Sequence, residues 1–127
     1  MTKYLIDSDC AIFAMTGQVP MLRAAIEKCE PGDIGISAIT LSELALGSEL
    51  GKPPASGVLQ AFLQAIPIVD FNEAAARAYA RLPFKRARFD RLLAAHALSL
   101  DATIITNNEG DFADVPDLKV ENWTRDA

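Results

Sequence analysis

Short apolar runs alternate with longer segments of helical periodicity along this chain. The apolar runs are four or five residues long or shorter and are bounded by turn-forming residues, which is typical of buried strands. We predict strands over Lys3–Asp7, Ile34–Ser37, Pro67–Asp70, Ala102–Thr106 and Leu118–Val120. The segments between them carry apolar residues at helical spacing, so each strand is expected to be followed by helix.

The predicted helices are separated by glycine and proline. We predict helices over residues 9–16, 20–29, 58–65, 72–82 and 89–100. A further helix carries Leu41 and Leu44 and is capped by Ser37 or Thr40. Residues 47–57 are predicted to form a loop. Strands that alternate with helices pair in parallel. The pattern therefore predicts an α/β fold of three layers, with a central, mostly parallel sheet of four to five strands flanked by helices.

Length and composition place this pattern in one ordinary domain. The chain has 127 residues, half of them hydrophobic and 23% charged, so we expect a single globular domain over residues 1–127. No apolar stretch is long enough to cross a bilayer, and the chain starts directly in a strand without the features of a secretory signal. Cys10 and Cys29 lack metal-ligand spacing, and we expect them to be reduced core residues of a cytoplasmic protein.

Charge is unevenly distributed along the chain. The formal net charge of -5 argues at first against a nucleic-acid partner. Half of the twelve basic residues nevertheless fall between positions 77 and 91, where Asp90 is the only acid; they are Arg77, Arg81, Lys85, Arg86, Arg88 and Arg91. Such a run is either a solvated helix face or a surface for substrate phosphates, and both interpretations remain open.

Three acidic residues stand in unusual apolar surroundings. Asp7 ends the first strand, where open α/β sheets bind ligands. Glu43 lies in a helical segment of small and apolar residues, either on an exposed stripe or as a partly buried acid that needs a partner. Asp90 begins a helix, where an acid can simply complement the helix dipole. His96 has no second candidate ligand, and the sequence assigns it no role.

Convergence of these acids would favour one kind of chemistry. Carboxylates held within about 4–6 Å of each other repel by on the order of several kcal/mol in total at an effective dielectric of about 20. A divalent cation relieves that repulsion, and Mg²⁺ or Mn²⁺ suits oxygen ligands and phosphate substrates. A water activated by the metal could then attack a phosphodiester in line.

Four sequence blocks, in order along the chain, resemble PIN-domain ribonucleases and more narrowly the VapC toxins of type II toxin–antitoxin pairs. They begin Leu5-Ile6-Asp7, Ile39-Thr40-Leu41, Phe89-Asp90-Arg91 and Ala102-Thr103-Ile104, and the closing segment 115–123 is similar as well. The resemblance implies a PIN-like fold and a Mg²⁺-dependent endoribonuclease.

The resemblance also implies roles for individual residues and for partners. Asp7, Glu43 and Asp90 would be the catalytic metal ligands, supported by Ser8 and Thr106. Asn108 would act as a water or metal ligand, with Asp111 supporting it. The basic run around Asp90, and not the resemblance, makes Arg86, Arg88 and Arg91 the candidates for contacts to RNA phosphates. We further expect a homodimer, and a VapB-like antitoxin whose tail covers the acidic groove within a larger toxin–antitoxin assembly. DNA would be met only through the antitoxin, and no membrane is expected.

Four other interpretations compete with this one. A receiver domain needs an aspartate after a central strand and a lysine after a late strand, and residues 51–57 and Asn107-Asn108 supply neither. A dehalogenase-type phosphatase needs a hydroxyl or valine where Ala11 stands. A PIN-like module that binds RNA or a partner without cleaving it, or another Mg²⁺-dependent phosphoryl-transfer enzyme, stays open, because sequence does not show geometry.

Overall fold

The computed structural model describes residues 1–83 and 88–125. In that part of the chain, five strands form one sheet in the order β3-β2-β1-β4-β5, and every neighbouring pair is parallel. The strands are β1 Tyr4–Ile6, β2 Ile34–Ser37, β3 Ile68–Val69, β4 Thr103–Ile105 and β5 Lys119–Glu121. The predicted α/β class with a parallel sheet is confirmed.

Helices connect the strands and cover the sheet. They are α1 Ser8–Thr16, α2 Pro20–Glu27, α3 Ala38–Glu49, α4 Ser56–Ala65, α5 Glu73–Ala80 and α6 Phe89–Leu100, with a short 3₁₀ helix at Glu109–Phe112. The predicted loop over 47–57 was too long, because α3 continues through Gly47 to Glu49. Glycine suits this position, since a Cβ on Gly47 would lie 3.0 Å from the Pro53 carbonyl oxygen.

Side-chain caps fix where three helices begin. Asp7, Ser37 and Asn72 accept hydrogen bonds from the backbone N–H groups of Cys10, Ile39 and Ala75, respectively. Such caps stabilise a helix by about 1 kcal/mol each. Of the two predicted caps for α3, the structure selects Ser37. Asp7 directly follows β1, and Ser37 is the last residue of β2. The starts of α1 and α3 are therefore fixed at the carboxyl edge of the sheet.

The core has one apolar cluster on each face of the sheet. Ile6 and Ile105 pack in one cluster, and their strand neighbours Leu5 and Ile104 pack in the other. Successive strand residues point to opposite faces, so a sheet with such strands must be covered on both sides. The three-layer prediction is therefore confirmed. Among the described residues, none of the helices combines the length and apolar character that a bilayer crossing requires.

Candidate active site

An acidic cleft of about 340 Å³ lies at the carboxyl edge of the sheet, where β1 and β4 are neighbours. Parallel strands end at the same edge, so residues that follow β1 and β4 come together there. The lining residues come from α1, α3, α6 and the segment after β4: Asp7, Ser8, Asp9, Glu43, Arg88, Phe89, Asp90, Leu93, Asn108, Asp111 and Phe112. All three predicted catalytic acids thus line one cleft.

Asp7 is held firmly at the end of β1. Its Oδ1 accepts the backbone N–H of Cys10 at 2.9 Å, and its backbone N–H donates to the Ile105 carbonyl at 3.0 Å. Burial raises the pKa of Asp7 above its ordinary value, while hydrogen bonds from the Thr106 side chain and the Cys10 backbone act against that rise. The carboxyl is therefore costly to ionise in its metal-free surroundings.

Glu43 reaches the same cleft from α3. Its side chain is half-buried, and burial is the largest cause of its raised pKa. The charges of Asp7, Asp9 and Asp90 raise that pKa further, and a hydrogen bond from Ser8 opposes them. The direction of this shift is consistent with Glu43 facing the other acids of the cleft. The hydrogen bond also gives the predicted supporting residue Ser8 a contact.

Asp90 enters the cleft from the first turn of α6. Its carboxylate forms an ion pair with Arg88, with 3.3 Å between Arg88 Nη2 and Asp90 Oδ2. The Arg88 side chain is about half exposed, so the pair lies at the rim of the cleft. Solvent-exposed ion pairs of this kind contribute little to stability, and Arg88 can leave Asp90 at low cost.

The segment after β4 brings Asn108 and Asp111 to the cleft together. Asn108 Nδ2 donates to Asp111 Oδ2 at 2.9 Å, which leaves the side-chain oxygen Oδ1 of Asn108 available to a ligand. Thr106 is fully buried, and its hydroxyl oxygen accepts the Asn108 backbone N–H at 3.0 Å. The hydroxyl hydrogen of Thr106 is thereby left for Asp7. Thr106 thus links the Asn108 turn to the first acid.

The predicted phosphate contacts fall in three different situations. Arg88 borders the cleft. Arg91 binds Asp114 with both terminal nitrogens, at 2.7 and 2.9 Å, and its side chain is only 11% exposed. That geometry fastens α6 to the segment after the 3₁₀ helix, while a phosphate contact by Arg91 stays a prediction. Arg86 lies outside the described residues.

The cleft contains an acid and an exposed aromatic residue that sequence reasoning did not single out. Asp9 adds a fifth acid, from α1, and Phe89 exposes 49% of its surface beside Asp90. The sequence held a signal for Asp9. Asp7 and Asp9 lie on either side of the start of α1, and residues so placed can face the same rim of a cleft. No pattern in the sequence distinguishes Phe89 from a core aromatic.

The oxygen donors of the cleft suit a hard cation, but they are too widely spaced to form a closed coordination cage. Within residues 1–83 and 88–125, no three His, Cys, Asp or Glu side chains converge closely enough to enclose an ion by themselves. Mg²⁺ commonly uses one or two carboxylates and keeps several waters, so it does not need a closed cage. The donor set of carboxylates and one amide oxygen therefore fits a partly hydrated ion.

Comparison with known proteins defines the class of this fold and site. Residues 4–118 match the family model described as "PIN domain". The chain belongs to the PIN-domain family. Within it, the chain is 30% identical over 133 residues to a protein of Shigella flexneri named tRNA(fMet)-specific endonuclease VapC, an alignment that covers 98% of this chain and all of that protein.

Solved structures give the same result in three dimensions. The chain superposes with a TM-score of 0.83 on a chain of the Rickettsia felis VapBC2 complex bound to promoter DNA, with 28% identity and coverage of 96% and 99% of the two chains. A DNA-bound VapBC complex of Salmonella typhimurium gives the same TM-score at 26% identity, covering 97% and 99%. The predicted resemblance to VapC-like PIN-domain proteins is confirmed.

Proposed function

We propose that this protein is a Mg²⁺-dependent endoribonuclease, the toxin of a VapBC-type pair. The observation that carries the proposal is the acidic cleft, in which Asp7, Glu43 and Asp90 meet from three separate elements. Burial and then the like charges of Asp7 and Asp90 raise the pKa of Glu43, so bringing these acids together costs the fold free energy that a bound cation would offset. The names of the relatives, which are ribonucleases and a tRNA-specific endonuclease, support RNA as the substrate.

The acids supply the binding site for the cation. Asp7, Glu43 and Asp90 would hold Mg²⁺ or Mn²⁺, with Asn108 completing the shell and Asp111 orienting the Asn108 amide. When bound, the ion supplies Lewis-acid chemistry that activates water and offsets charge on a scissile phosphate. Hydrogen bonds from Thr106 and Cys10 oppose the burial that raises the pKa of Asp7, and a hydrogen bond from Ser8 opposes it for Glu43, so these contacts favour the charged, ligating forms.

The rim of the cleft offers contacts for RNA. Arg88 would exchange its ion pair with Asp90 for an RNA phosphate once the cation neutralises the acids. Phe89 presents an exposed aromatic face next to Asp90, where an unpaired base can stack. Both contacts favour single-stranded or looped RNA over a regular duplex, whose bases are already stacked.

The assembly follows from the complexes that this chain resembles. Both of the similar structures are VapBC complexes bound to DNA. We extend this to a VapB-like antitoxin that covers the acidic cleft and carries the DNA contact, to a homodimer of this chain, and to a cytoplasmic location. The acidic composition of the chain is consistent with an indirect DNA contact.

A second candidate function rests on the open spacing of the acids. A PIN-like module that binds RNA without cleaving it would retain the cleft but need no closed metal site, as found among the described residues. This candidate predicts RNA binding that is unaffected by EDTA and no cleavage with Mg²⁺.

Cleavage assays separate the two candidates. Purified protein, freed of antitoxin, is incubated with RNA in Mg²⁺ and in EDTA, together with Asp7→Ala and Asp90→Ala. We expect cleavage that needs both the cation and the acids. Cleavage unchanged by EDTA, or retained in both variants, would refute the proposal.

A further inference from the structure

A buried hydrogen bond joins the helix that carries Glu43 to the helix that carries Asp90. The Ser37 hydroxyl and His96 Nδ1 are 2.7 Å apart, and both side chains are buried, with 0% and 1% of their surface exposed. Ser37 is the N-cap of α3, and His96 lies in the middle of α6. This bond therefore joins two of the elements that line the acid cleft.

The surroundings of the pair indicate which atom holds the hydrogen. The Ser37 oxygen already accepts the backbone N–H of Ile39 at 3.1 Å, so its own hydrogen is free to be donated to His96 Nδ1. The ring proton then sits on Nε2, on the side of the ring where the Asp70 backbone stabilises it. That contact does not reach normal hydrogen-bond geometry among the described residues. Phe71 holds the ring edge-on, with 5.4 Å between ring centroids.

The Ser37–His96 hydrogen bond lies six residues from an acid of the cleft on each of the two helices. Glu43 comes six residues after Ser37 on α3, and Asp90 comes six residues before His96 on α6. Six helical residues rise about 9 Å. The Ser37–His96 bond thus holds α3 and α6 together about two turns away from Glu43 and Asp90, whose like charges push the same helices apart.

We propose that His96 is a positioning residue for the active site, which through Ser37 keeps Glu43 and Asp90 close enough to share one divalent cation. The inference rests on the proposed metal-dependent function. His96 touches neither the acids nor the cleft, so its effect is on the spacing of the ligands and not on the chemistry. Partners that are hydrogen-bonded directly to metal ligands change metal affinity by about 10- to 100-fold when they are removed, and we expect this more distant bond to act at the lower end of that range.

The test measures Mn²⁺ affinity by electron paramagnetic resonance, which needs no RNA cleavage. His96→Phe keeps an aromatic ring beside Phe71 but removes the acceptor for Ser37. Ser37→Gly removes the donor and leaves a residue that is accepted at helix N-caps. His96→Asn restores an acceptor near the position of Nδ1. Leu22→Ala serves as a stability control, because α2 contributes no residue to the cleft.

We expect His96→Phe and Ser37→Gly to weaken Mn²⁺ binding by about 10-fold or more, with no further loss in the double variant, and His96→Asn to recover most of the affinity. Urea unfolding of each variant separates this effect from stability. If both variants bind Mn²⁺ as tightly as Leu22→Ala does, the inference is overturned. If wild-type binding does not depend on Asp90, the proposed function fails, and this inference fails with it.

Discussion

The Asp7 carboxylate accepts the Cys10 backbone N–H at 2.9 Å while it also faces the acidic cleft. One side chain therefore caps α1 and contributes charge to the candidate metal site. The cap needs only an acceptor oxygen, which an amide supplies as well as a carboxylate does. The metal site needs the negative charge. The two roles can therefore be separated by a single substitution.

Asp7→Asn is expected to stabilise the metal-free protein and to abolish its activity. The amide keeps the helix cap but removes the negative charge of a buried carboxyl group, whose pKa is raised by burial. The free energy of unfolding in EDTA should increase, while RNA cleavage in Mg²⁺ should fall by at least ~100-fold, since even outer partners of metal ligands are worth about 10- to 100-fold. Urea unfolding and a cleavage assay on the same preparation measure both effects, and a less stable variant would contradict the account.

The stabilisation by Asp7→Asn should also depend on pH. Because the pKa of Asp7 is higher in the folded than in the unfolded chain, the wild type bears its full penalty at pH values above the raised pKa. As the pH falls through the raised pKa towards 3.8, the folded protein takes up the proton first and the penalty disappears. The difference between variant and wild type should therefore be largest at pH 7 and shrink on acidification.

Mg²⁺ should raise the melting temperature of the wild type more than that of Asp90→Asn. A ligand that binds only the folded state stabilises it by about 2.7 kcal/mol at 100 times its dissociation constant. Removal of one carboxylate weakens the site and so reduces this gain. Thermal unfolding with and without Mg²⁺ tests the prediction, and Asp101→Asn, at the opposite end of α6, is the matched control. An equal shift in Asp90→Asn and the control would count against the site.

Arg88→Gln should weaken RNA binding without removing the metal site. Its ion pair with Asp90 lies at the rim and contributes little to stability, so the loss falls on phosphate contact. We expect KM to rise by about 10-fold with a smaller change in kcat, and the slope of log affinity against log salt to fall by about one. Lys119→Gln is the control, because Lys119 pairs with Asp101 away from the cleft. Equal effects of the two substitutions would argue against a role for Arg88.

His96 should make the wild type less stable below about pH 6.5. Burial lowers its pKa from the ordinary 6.5, and the backbone and charge of Asp70 only partly offset that effect. The unfolded chain therefore binds a proton first, so the contribution of neutral His96 is present above pH 6.5 and lost as the pH falls through its lowered pKa. The stability of His96→Asn relative to wild type should rise over that range. A constant difference from pH 7.5 to 5 would contradict this.

Much of the fold was predictable because local signals agreed with the global topology. The strand at Ile34–Ser37 and the helix starts at Pro20 and Asn72 follow directly from apolar runs, capping residues and proline. The length of α3 was not predictable, because a glycine such as Gly47 usually indicates the end of a helix. Glycine is suited to this helical position because the Pro53 carbonyl oxygen would lie 3.0 Å from a Cβ, and the turn that brings Pro53 back to position 47 is not evident from the sequence pattern.

The acids of the candidate site were easier to predict than the residues that position them. Asp7, Glu43 and Asp90 stood out because charge is costly in apolar surroundings. The bond between Ser37 and His96 joins residues 59 positions apart, and a lone histidine carries no signal for such a partner. Likewise, Arg91 looked like one member of a basic run until its two-point contact with Asp114 was seen.

The rate of RNA cleavage as a function of Mg²⁺ concentration tests the central claim most directly. It is measured in single turnover with antitoxin-free wild type, Asp90→Asn and Asp101→Asn. We predict no cleavage in EDTA, a saturable rise with Mg²⁺ in the wild type and in Asp101→Asn, and a curve for Asp90→Asn that is shifted to much higher Mg²⁺ or lost. A wild-type rate that is independent of Mg²⁺, or an Asp90→Asn curve that coincides with that of the wild type, would contradict a cation held by these acids.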